Sequence, residues 1–188
     1  MTMKGLKLAV TLVVLGASFY SAKADAQNFQ NPNQLAAQVS PLLEKPQIRD
    51  SQLKPANTSG NSSSVETQLS QGYDLLKKDD YKGAIEAFNK VLQTERNNEI
   101  ATYAYFGRAI AYLSTDKYEA AKSDFDQVIA LDAKFAHAYF FRAASQYKLG
   151  DKEAAVLDLN QAVNLFKAQG EPELAKKAQD MIKNIQTS

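Results

Sequence analysis

Few residues of this chain belong to the types that carry catalysis or bind metals. Among its 188 residues there is one histidine, His137, and no cysteine. A lone histidine between two alanines, with no clustered acids beside it, is a poor candidate for a metal ligand or a nucleophile. The sequence also contains no G-x-S-x-G, no H-E-x-x-H and no phosphate-binding glycine loop. We therefore expect a protein that is not an enzyme and that needs no metal or cofactor.

The balance of charges argues against nucleic acid as a ligand. Lysine and arginine number 22 and aspartate and glutamate number 21, so the net charge is only +1. Binding to nucleic acid depends on a basic surface that neutralises phosphates. We expect the partner to be another protein.

The N-terminus has the pattern of a secretory signal peptide. Lys4 and Lys7 precede an apolar run over residues 8–20, and alanines follow at 22, 24 and 26. The run is short for a membrane span, and the A-x-A spacing predicts cleavage after Ala26. We expect residues 1–26 to be removed and the mature protein to act outside the cytoplasm, in a periplasm, a lumen or the medium. The alternative is an uncleaved membrane anchor; once the segment is removed, we expect no membrane attachment.

Residues 27–64 differ in composition from the rest of the chain. They are rich in Gln, Asn, Ser and Pro and lack the apolar density that offsets chain entropy, so we expect a disordered linker. A short patch within it, residues 34–43, is compatible with a simple tether, a transient helix, or docking on the repeats or on a partner. It contains four large aliphatic residues, namely Leu35, Val39, Leu42 and Leu43.

From residue 65 onward the sequence repeats with a period of 34 residues. Tyr105-Phe106 falls on Tyr139-Phe140 at that offset, and a looser first copy lies 37 residues before the second. Small residues recur where the two helices of a hairpin would cross, because only glycine or alanine leaves room there. These small residues are Gly72, Ala109 and Ala143 in the first helix of each unit and Ala84, Ala121 and Ala155 in the second.

A 34-residue unit of two short helices with this pattern resembles the tetratricopeptide repeat (TPR) family. The resemblance implies an all-α solenoid of three hairpins, over about residues 65–98, 102–135 and 136–169. An amphipathic helix over residues 171–186 would then cap the last hairpin. The stretch before that helix also resembles small secreted TPR proteins of bacteria, including cyanobacterial ones. The longer spacing between the first two units predicts an insertion in their connector, near residues 95–99.

An arginine and an aspartate recur together in two of the three units. Arg108 and Asp124 occupy the same places in the second unit as Arg142 and Asp158 in the third, and the first unit has neither. We hypothesise that each arginine reaches across its own hairpin to the aspartate. The alternative is two independent surface charges, because exposed ion pairs contribute little to stability.

In TPR proteins the first helix of each hairpin lines a concave surface, so the resemblance assigns a partner-binding groove to this chain. Some TPR domains clamp the acidic C-terminus of a chaperone with lysine, asparagine and arginine, and this sequence lacks those side chains at the matching positions. The positions hold mostly apolar and aromatic residues, which favours an apolar peptide or helix of another protein as the ligand. The predicted groove residues are Leu69, Tyr73, Tyr103, Phe106, Ile110, His137, Phe140, Phe141 and Tyr147.

The function that we expect is therefore an exported interaction module, acting as an adaptor, a scaffold or an assembly factor. The alternative is a module that associates with itself, as a homo-oligomer with a structural role at the cell envelope. A second alternative concerns the groove, whose aromatic side chains could be buried between repeats or covered by the N-terminal segment.

Overall fold

The structure, a computed structural model, describes residues 62–94 and 98–187. Within these residues the chain contains seven α-helices and no β-strand. Short turns join most of the helices. In chain order the helices are α1 Ser62–Lys77, α2 Tyr81–Thr94, α3 Asn98–Ser114, α4 Tyr118–Leu131, α5 Ala136–Lys148, α6 Lys152–Gln169 and α7 Pro172–Thr187.

The helices pair into three consecutive hairpins, α1 with α2, α3 with α4, and α5 with α6, and α7 follows. Each helix packs most extensively on its neighbours in the chain. The first helices of the hairpins also contact one another, α1 with α3 and α3 with α5, whereas the second helices share no comparable contact in the described part of the chain. The first helices therefore line the inner, concave side. The prediction of an all-α solenoid of three hairpins is confirmed.

The small residues lie at the helix crossings, as their spacing predicts. Ala109 and Ala121, which face each other within the second hairpin, are fully buried. The closest approach involves the ring of Phe88, which lies against both Gly72 and Gly107. A Cβ atom on Gly72 would be 2.6 Å from the ring, and one on Gly107 would be 2.3 Å from it. Only the absence of a side chain at both positions allows this packing.

The turn inside each hairpin depends on one residue with a left-handed backbone. This residue is Asp79, Asp116 or Gly150, with φ of 58°, 57° and 88°. Aspartate tolerates this region better than most side chains, and the hydroxyl of the tyrosine two residues later donates a hydrogen bond to its carboxylate in the first two turns. In the third turn the Asp151 carboxylate accepts from the backbone N–H of Ala154 at 3.0 Å and so caps the start of α6.

Helix α3 begins four residues earlier than the repeat predicts, at Asn98 instead of Thr102. The prediction that the insertion lies wholly in the connector is therefore wrong. The reason is that Ile100 is buried in the core, so an additional helical turn removes apolar surface from water. The first turn of α3 is also stabilised by the Thr102 hydroxyl, which donates a hydrogen bond to the carbonyl of Asn98 at 2.6 Å.

Helix α7 covers the end of the last hairpin, as a capping helix should. Its buried stripe consists of Ala175, Ala178, Met181 and Ile185, and it packs against α6. Gly170, at φ 81°, ends α6 in a left-handed conformation and turns the chain back.

The predicted signal peptide, residues 1–26, and nearly all of the predicted linker lie outside the described residues, so both stay predictions. Helix α1 begins at Ser62, so its first three residues, 62–64, lie in the segment that we assigned to the linker. None of the seven described helices is long and apolar enough to cross a membrane.

Candidate protein-binding groove

The nine predicted groove residues all lie on the inner helices α1, α3 and α5, but they differ in exposure. Tyr103, His137 and Tyr147 are half-buried and keep part of the side chain accessible. The other six are core residues in this conformation, and their role in binding stays a prediction. These six are Leu69, Tyr73, Phe106, Ile110, Phe140 and Phe141.

Tyr73 is buried because it joins the first two hairpins. Its ring packs edge-on against Phe88, with 5.2 Å between centroids, and its hydroxyl donates to the backbone carbonyl of Tyr103 at 2.8 Å. Burial raises the pKa of the Tyr73 hydroxyl far above its ordinary value, so the group remains a neutral donor. This bond ties α1 to α3 beneath the half-buried Tyr103 side chain.

Phe106 has the equivalent role between the second and third hairpins. Its ring centroid is 5.0 Å from that of Phe135, 6.0 Å from that of Phe125 and 6.0 Å from that of Phe141. Such tilted and edge-on contacts are favourable arrangements for aromatic rings. Phe106 and the rings packed around it therefore form the floor of the groove. The partly accessible side chains lie beside this floor.

His137 lies at the start of α5 between two rings, 6.3 Å from the Phe135 centroid and 4.9 Å from the Phe166 centroid. Its Nε2 atom is buried and has no hydrogen-bond partner among the residues that the structure describes. Burial lowers the pKa of the imidazole to about 4, so the ring is neutral at neutral pH. Within residues 62–94 and 98–187 no group of histidines, cysteines or acids is arranged to hold a metal ion. His137 is thus a neutral part of an aromatic surface.

Tyr103 marks the end of the groove nearer the first hairpin. Its ring packs edge-on against Phe135 with 6.1 Å between centroids. Burial raises the pKa of its hydroxyl, and the nearby charges of Glu99 and Asp132 raise it further. The accessible residues of the groove are therefore uncharged at neutral pH, with two carboxylates near one end.

The two recurrent arginines contact the aspartates of their own hairpins, which confirms the hypothesis. Arg108 donates through Nε and Nη2 to the two carboxylate oxygens of Asp124, both at 2.7 Å. Arg142 binds Asp158 in the same two-pronged way at 2.7 Å. Both aspartates are buried. The hydrogen bonds with Asp158 raise the pKa of Arg142 although burial opposes the charge, so this guanidinium stays protonated.

Each arginine also donates a third hydrogen bond, to a second partner that the sequence reasoning missed. Nη1 of Arg108 donates to the side-chain oxygen of Asn89 at 2.6 Å, and Nη1 of Arg142 donates to Asp126 at 2.7 Å. Asn89 and Asp126 lie on the second helix of the preceding hairpin, so each arginine links two hairpins. Both occupy the same place in the 34-residue unit, and that shared place was the available signal.

A family comparison agrees with the repeat and the hairpin geometry. The family model described as "Tetratricopeptide repeat" matches residues 102–135 and 136–169. Residues 102–169 therefore match the TPR family as two tandem repeats. Similar proteins include serine/threonine-protein phosphatase 5 of Rattus norvegicus, 34% identical over 56% of this chain, and a TPR repeat-containing protein of Methanocaldococcus jannaschii, 32% identical over 52%. A DnaJ homolog subfamily C member 7 homolog of Schizosaccharomyces pombe is 31% identical over 54%.

The chain spans only about a fifth of the length of those relatives, namely 21% of the phosphatase, 16% of the archaeal protein and 21% of the DnaJ homolog. Among solved structures, the first TPR of Spaghetti (RPAP3) bound to an HSP90 peptide, SRMEEVD, has a TM-score of 0.58 at 24% identity. It covers 67% of this chain and 93% of its own. The TPR2B domain of yeast Sti1, in complex with pHsp70, has a TM-score of 0.62 at 19% identity over 67% of this chain and 98% of its own. These two likenesses concern the fold.

Proposed function

We propose that this TPR protein is a binding module, not an enzyme, and that its groove takes an uncharged, apolar segment of another protein. Its role would be that of an adaptor, a scaffold or an assembly factor outside the cytoplasm. The observation that carries the proposal is the inner face itself. Tyr103, His137 and Tyr147 remain partly accessible there above an aromatic floor, and all three are uncharged at neutral pH.

The same face argues against the acidic peptide seen in one structural neighbour. That neighbour, the first TPR of Spaghetti (RPAP3), is bound to the HSP90 peptide SRMEEVD. Holding carboxylates requires cationic or amide donors, and at the matching positions this chain has five side chains of other kinds. They are Leu69, Tyr73, Gly107, His137 and Phe141, of which all but His137 are buried. We expect no measurable binding of SRMEEVD.

A capture experiment with paired variants tests the groove. Tyr103→Ala and Tyr147→Ala together remove accessible inner surface, whereas Tyr105→Ala and Tyr139→Ala remove two half-buried tyrosines that point about 200° away from Tyr103 on α3 and from His137 on α5. Tyr103 and Tyr105 are suitable opposites because two residues along a helix differ by about 200° in direction. We expect a protein cross-linked by the parent and by the Tyr105/Tyr139 variant to be lost with the Tyr103/Tyr147 variant. Equal capture by all three would reject the groove.

Export is tested separately, by the mass of the protein recovered from its native host. Cleavage after Ala26 predicts a chain that begins at Gln27 and is found outside the cytoplasm. A recovered chain that still carries residues 1–26 would contradict cleavage. Recovery from the cytoplasmic fraction would contradict export and leave the groove proposal intact.

A further inference from the structure

We infer that the groove has an occupant within this chain, the aliphatic patch of residues 34–43, which docks on the inner face of α3 and α5 and competes with the external partner. The inference rests on the proposed function, because it concerns the regulation of the same groove. Four observations carry it, namely the chemistry of the patch, its proline, its distance along the chain from α1 and the character of the inner face.

The patch has the chemistry that the groove accepts. It reads Gln-Leu-Ala-Ala-Gln-Val-Ser-Pro-Leu-Leu and contains no charged residue, whereas residues 44–50 contain two acids and two bases. The accessible groove residues Tyr103, His137 and Tyr147 are likewise uncharged, so docking buries no unpaired charge on either side. Aliphatic side chains on aromatic ones give apolar burial without a charge to desolvate.

Pro41 determines the conformation in which the patch docks. Proline lacks a backbone N–H and disfavours a helical conformation at the residue before it, here Ser40. Residues 39–43 are therefore suited to binding as an extended strand, in which Val39 and Leu43 lie about 13 Å apart. Neighbouring helices are spaced by about 8–10 Å. An extended piece of this length reaches from Tyr103 on α3 to His137 on α5.

The connection to α1 is long enough. Residues 44–61 separate the patch from the start of α1 at Ser62. Eighteen residues can span at most about 60 Å, and α1 and α5 are two helix spacings apart, about 20 Å. A segment tethered in this way meets the groove at an effective concentration near the millimolar range. A weak contact would therefore be populated, and an external ligand must displace it.

Cross-linking within the processed chain, residues 27–188, tests where the patch lies. A photoreactive amino acid replaces Val39 in one sample and Thr58, outside the patch, in a matched control. We expect Val39 to cross-link within its own molecule to the side chains of Tyr103, His137 or Tyr147, located residue by residue by fragmenting the cross-linked peptides, and Thr58 not to do so. Cross-links from Val39 to Tyr105 or Tyr139 on the outer side, to a second copy of the chain, or to nothing would overturn the inference.

Competition gives a second readout that needs no identified partner. The probe is a fluorescent synthetic peptide of residues 34–43, added to the processed chain and to a variant with Leu35, Val39, Leu42 and Leu43 changed to serine. Because the variant loses its tethered competitor, we expect it to bind the peptide at least about tenfold more tightly than the parent. Equal affinities, or no binding to either protein, would contradict docking.

The two proposals fail in different ways. If Val39 does not cross-link to the groove but the Tyr103→Ala and Tyr147→Ala variant still loses its captured protein, the internal occupant is rejected and the proposed function stands. If Val39 cross-links to the groove but that variant captures its protein normally, the proposed function is rejected while the docked patch stands.

Discussion

The two junctions between consecutive hairpins use the same places in the repeat with different chemistry. At the first junction the ring of Phe88 lies against Gly107 of the next hairpin, where there is no side chain. At the second junction the equivalent ring, Phe125, stacks on Phe141, with centroids 6.2 Å apart and planes inclined by 20°. One junction is packed by the close approach of backbone to ring and the other by two rings. The same two places in the repeat thus accommodate two different packing arrangements.

The polar contacts of the two junctions differ in the same manner. Arg108 reaches back to the neutral Asn89, whereas Arg142 reaches back to the carboxylate of Asp126. The first junction has an additional neutral bond from the Tyr73 hydroxyl to the Tyr103 carbonyl. The second junction therefore carries more charge and more aromatic surface, and it also holds His137. Substitutions and pH should affect the two junctions unequally.

The largest expected effect is that of Phe141→Ala. Removing a fully buried ring that stacks on Phe125 leaves a cavity, and we expect the free energy of unfolding to fall by about 3–5 kcal/mol. Urea unfolding followed by circular dichroism measures it. The control is Tyr139→Ala on the same helix, whose half-buried ring should contribute far less. A loss below that of the control would mean that the second junction does not depend on the ring pair.

At the first junction the matching change is an addition, Gly107→Ala. The new Cβ would lie 2.3 Å from Phe88, so the ring must move, and we expect a loss of about 1–3 kcal/mol in the free energy of unfolding. Alanine favours a helix over glycine by about 1 kcal/mol, which opposes the clash. Combining the change with Phe88→Leu should restore part of the loss. Ser70→Ala, at the same place in the first repeat, serves as the control, and a stabilising Gly107→Ala would show that the contact is loose.

These two cases show what the sequence can and cannot predict. The 34-residue period and its small residues predict the hairpins to within a few residues, because helix crossings tolerate only glycine or alanine at fixed places. The exposure of Phe106 or Phe141 is not predictable in this way. It depends on the rings packed against each residue, Phe125 and Phe135 for Phe106 and Phe125 for Phe141, and the periodicity of the sequence does not predict these contacts.

The polar network was predicted in part for a similar reason. Arg108 and Asp124 are recognisable as a pair because they appear and disappear together among the three units. Asn89 and Asp126 share a place in the repeat but differ in residue type, and the shared place alone, which was the available signal, does not identify them as partners of the arginines. The added turn at the start of α3 was missed because Ile100 has no counterpart in the other two units.

Acid should weaken the second junction more than the first, through His137. Its pKa is about 4 in the folded protein and about 6.5 when unfolded, so the unfolded state binds more protons between these values. Stability then falls as pH decreases through that window, by about 2 kcal/mol from pH 7 to pH 5. Urea unfolding at both pH values checks it, with His137→Phe as the comparison. An equal pH dependence in that variant would contradict the assignment, since the other titrating groups are common to both proteins.

Hydrogen exchange places this pH effect in the molecule. The amides of α5 and α6, the helices that contain and surround His137, should be less protected against exchange at pH 5 than at pH 7. Those of α1 and α2 should change less, because the position corresponding to His137 is Glu66 in the first hairpin. Uniform loss of protection would mean that the solenoid unfolds as one cooperative unit and that the comparison of junctions does not extend to pH.

The smallest expected effect separates the two arginine contacts by their response to salt. In double-mutant cycles, Arg142 with Asp126 should show a coupling energy of about 0.5–1 kcal/mol, because Asp126 is 40% exposed and its charge is partly screened. That coupling should decrease between 0.1 and 1 M salt, as the Debye length falls from about 10 Å to about 3 Å. The coupling of Arg108 with Asn89 should persist, because a hydrogen bond to a neutral amide loses little Coulomb attraction on screening.

Replacing Asp126 by asparagine would give the second junction the chemistry of the first. The Arg142 coupling should then become insensitive to salt, and a coupling that still decreased would mean that the salt effect arises from Asp158 instead.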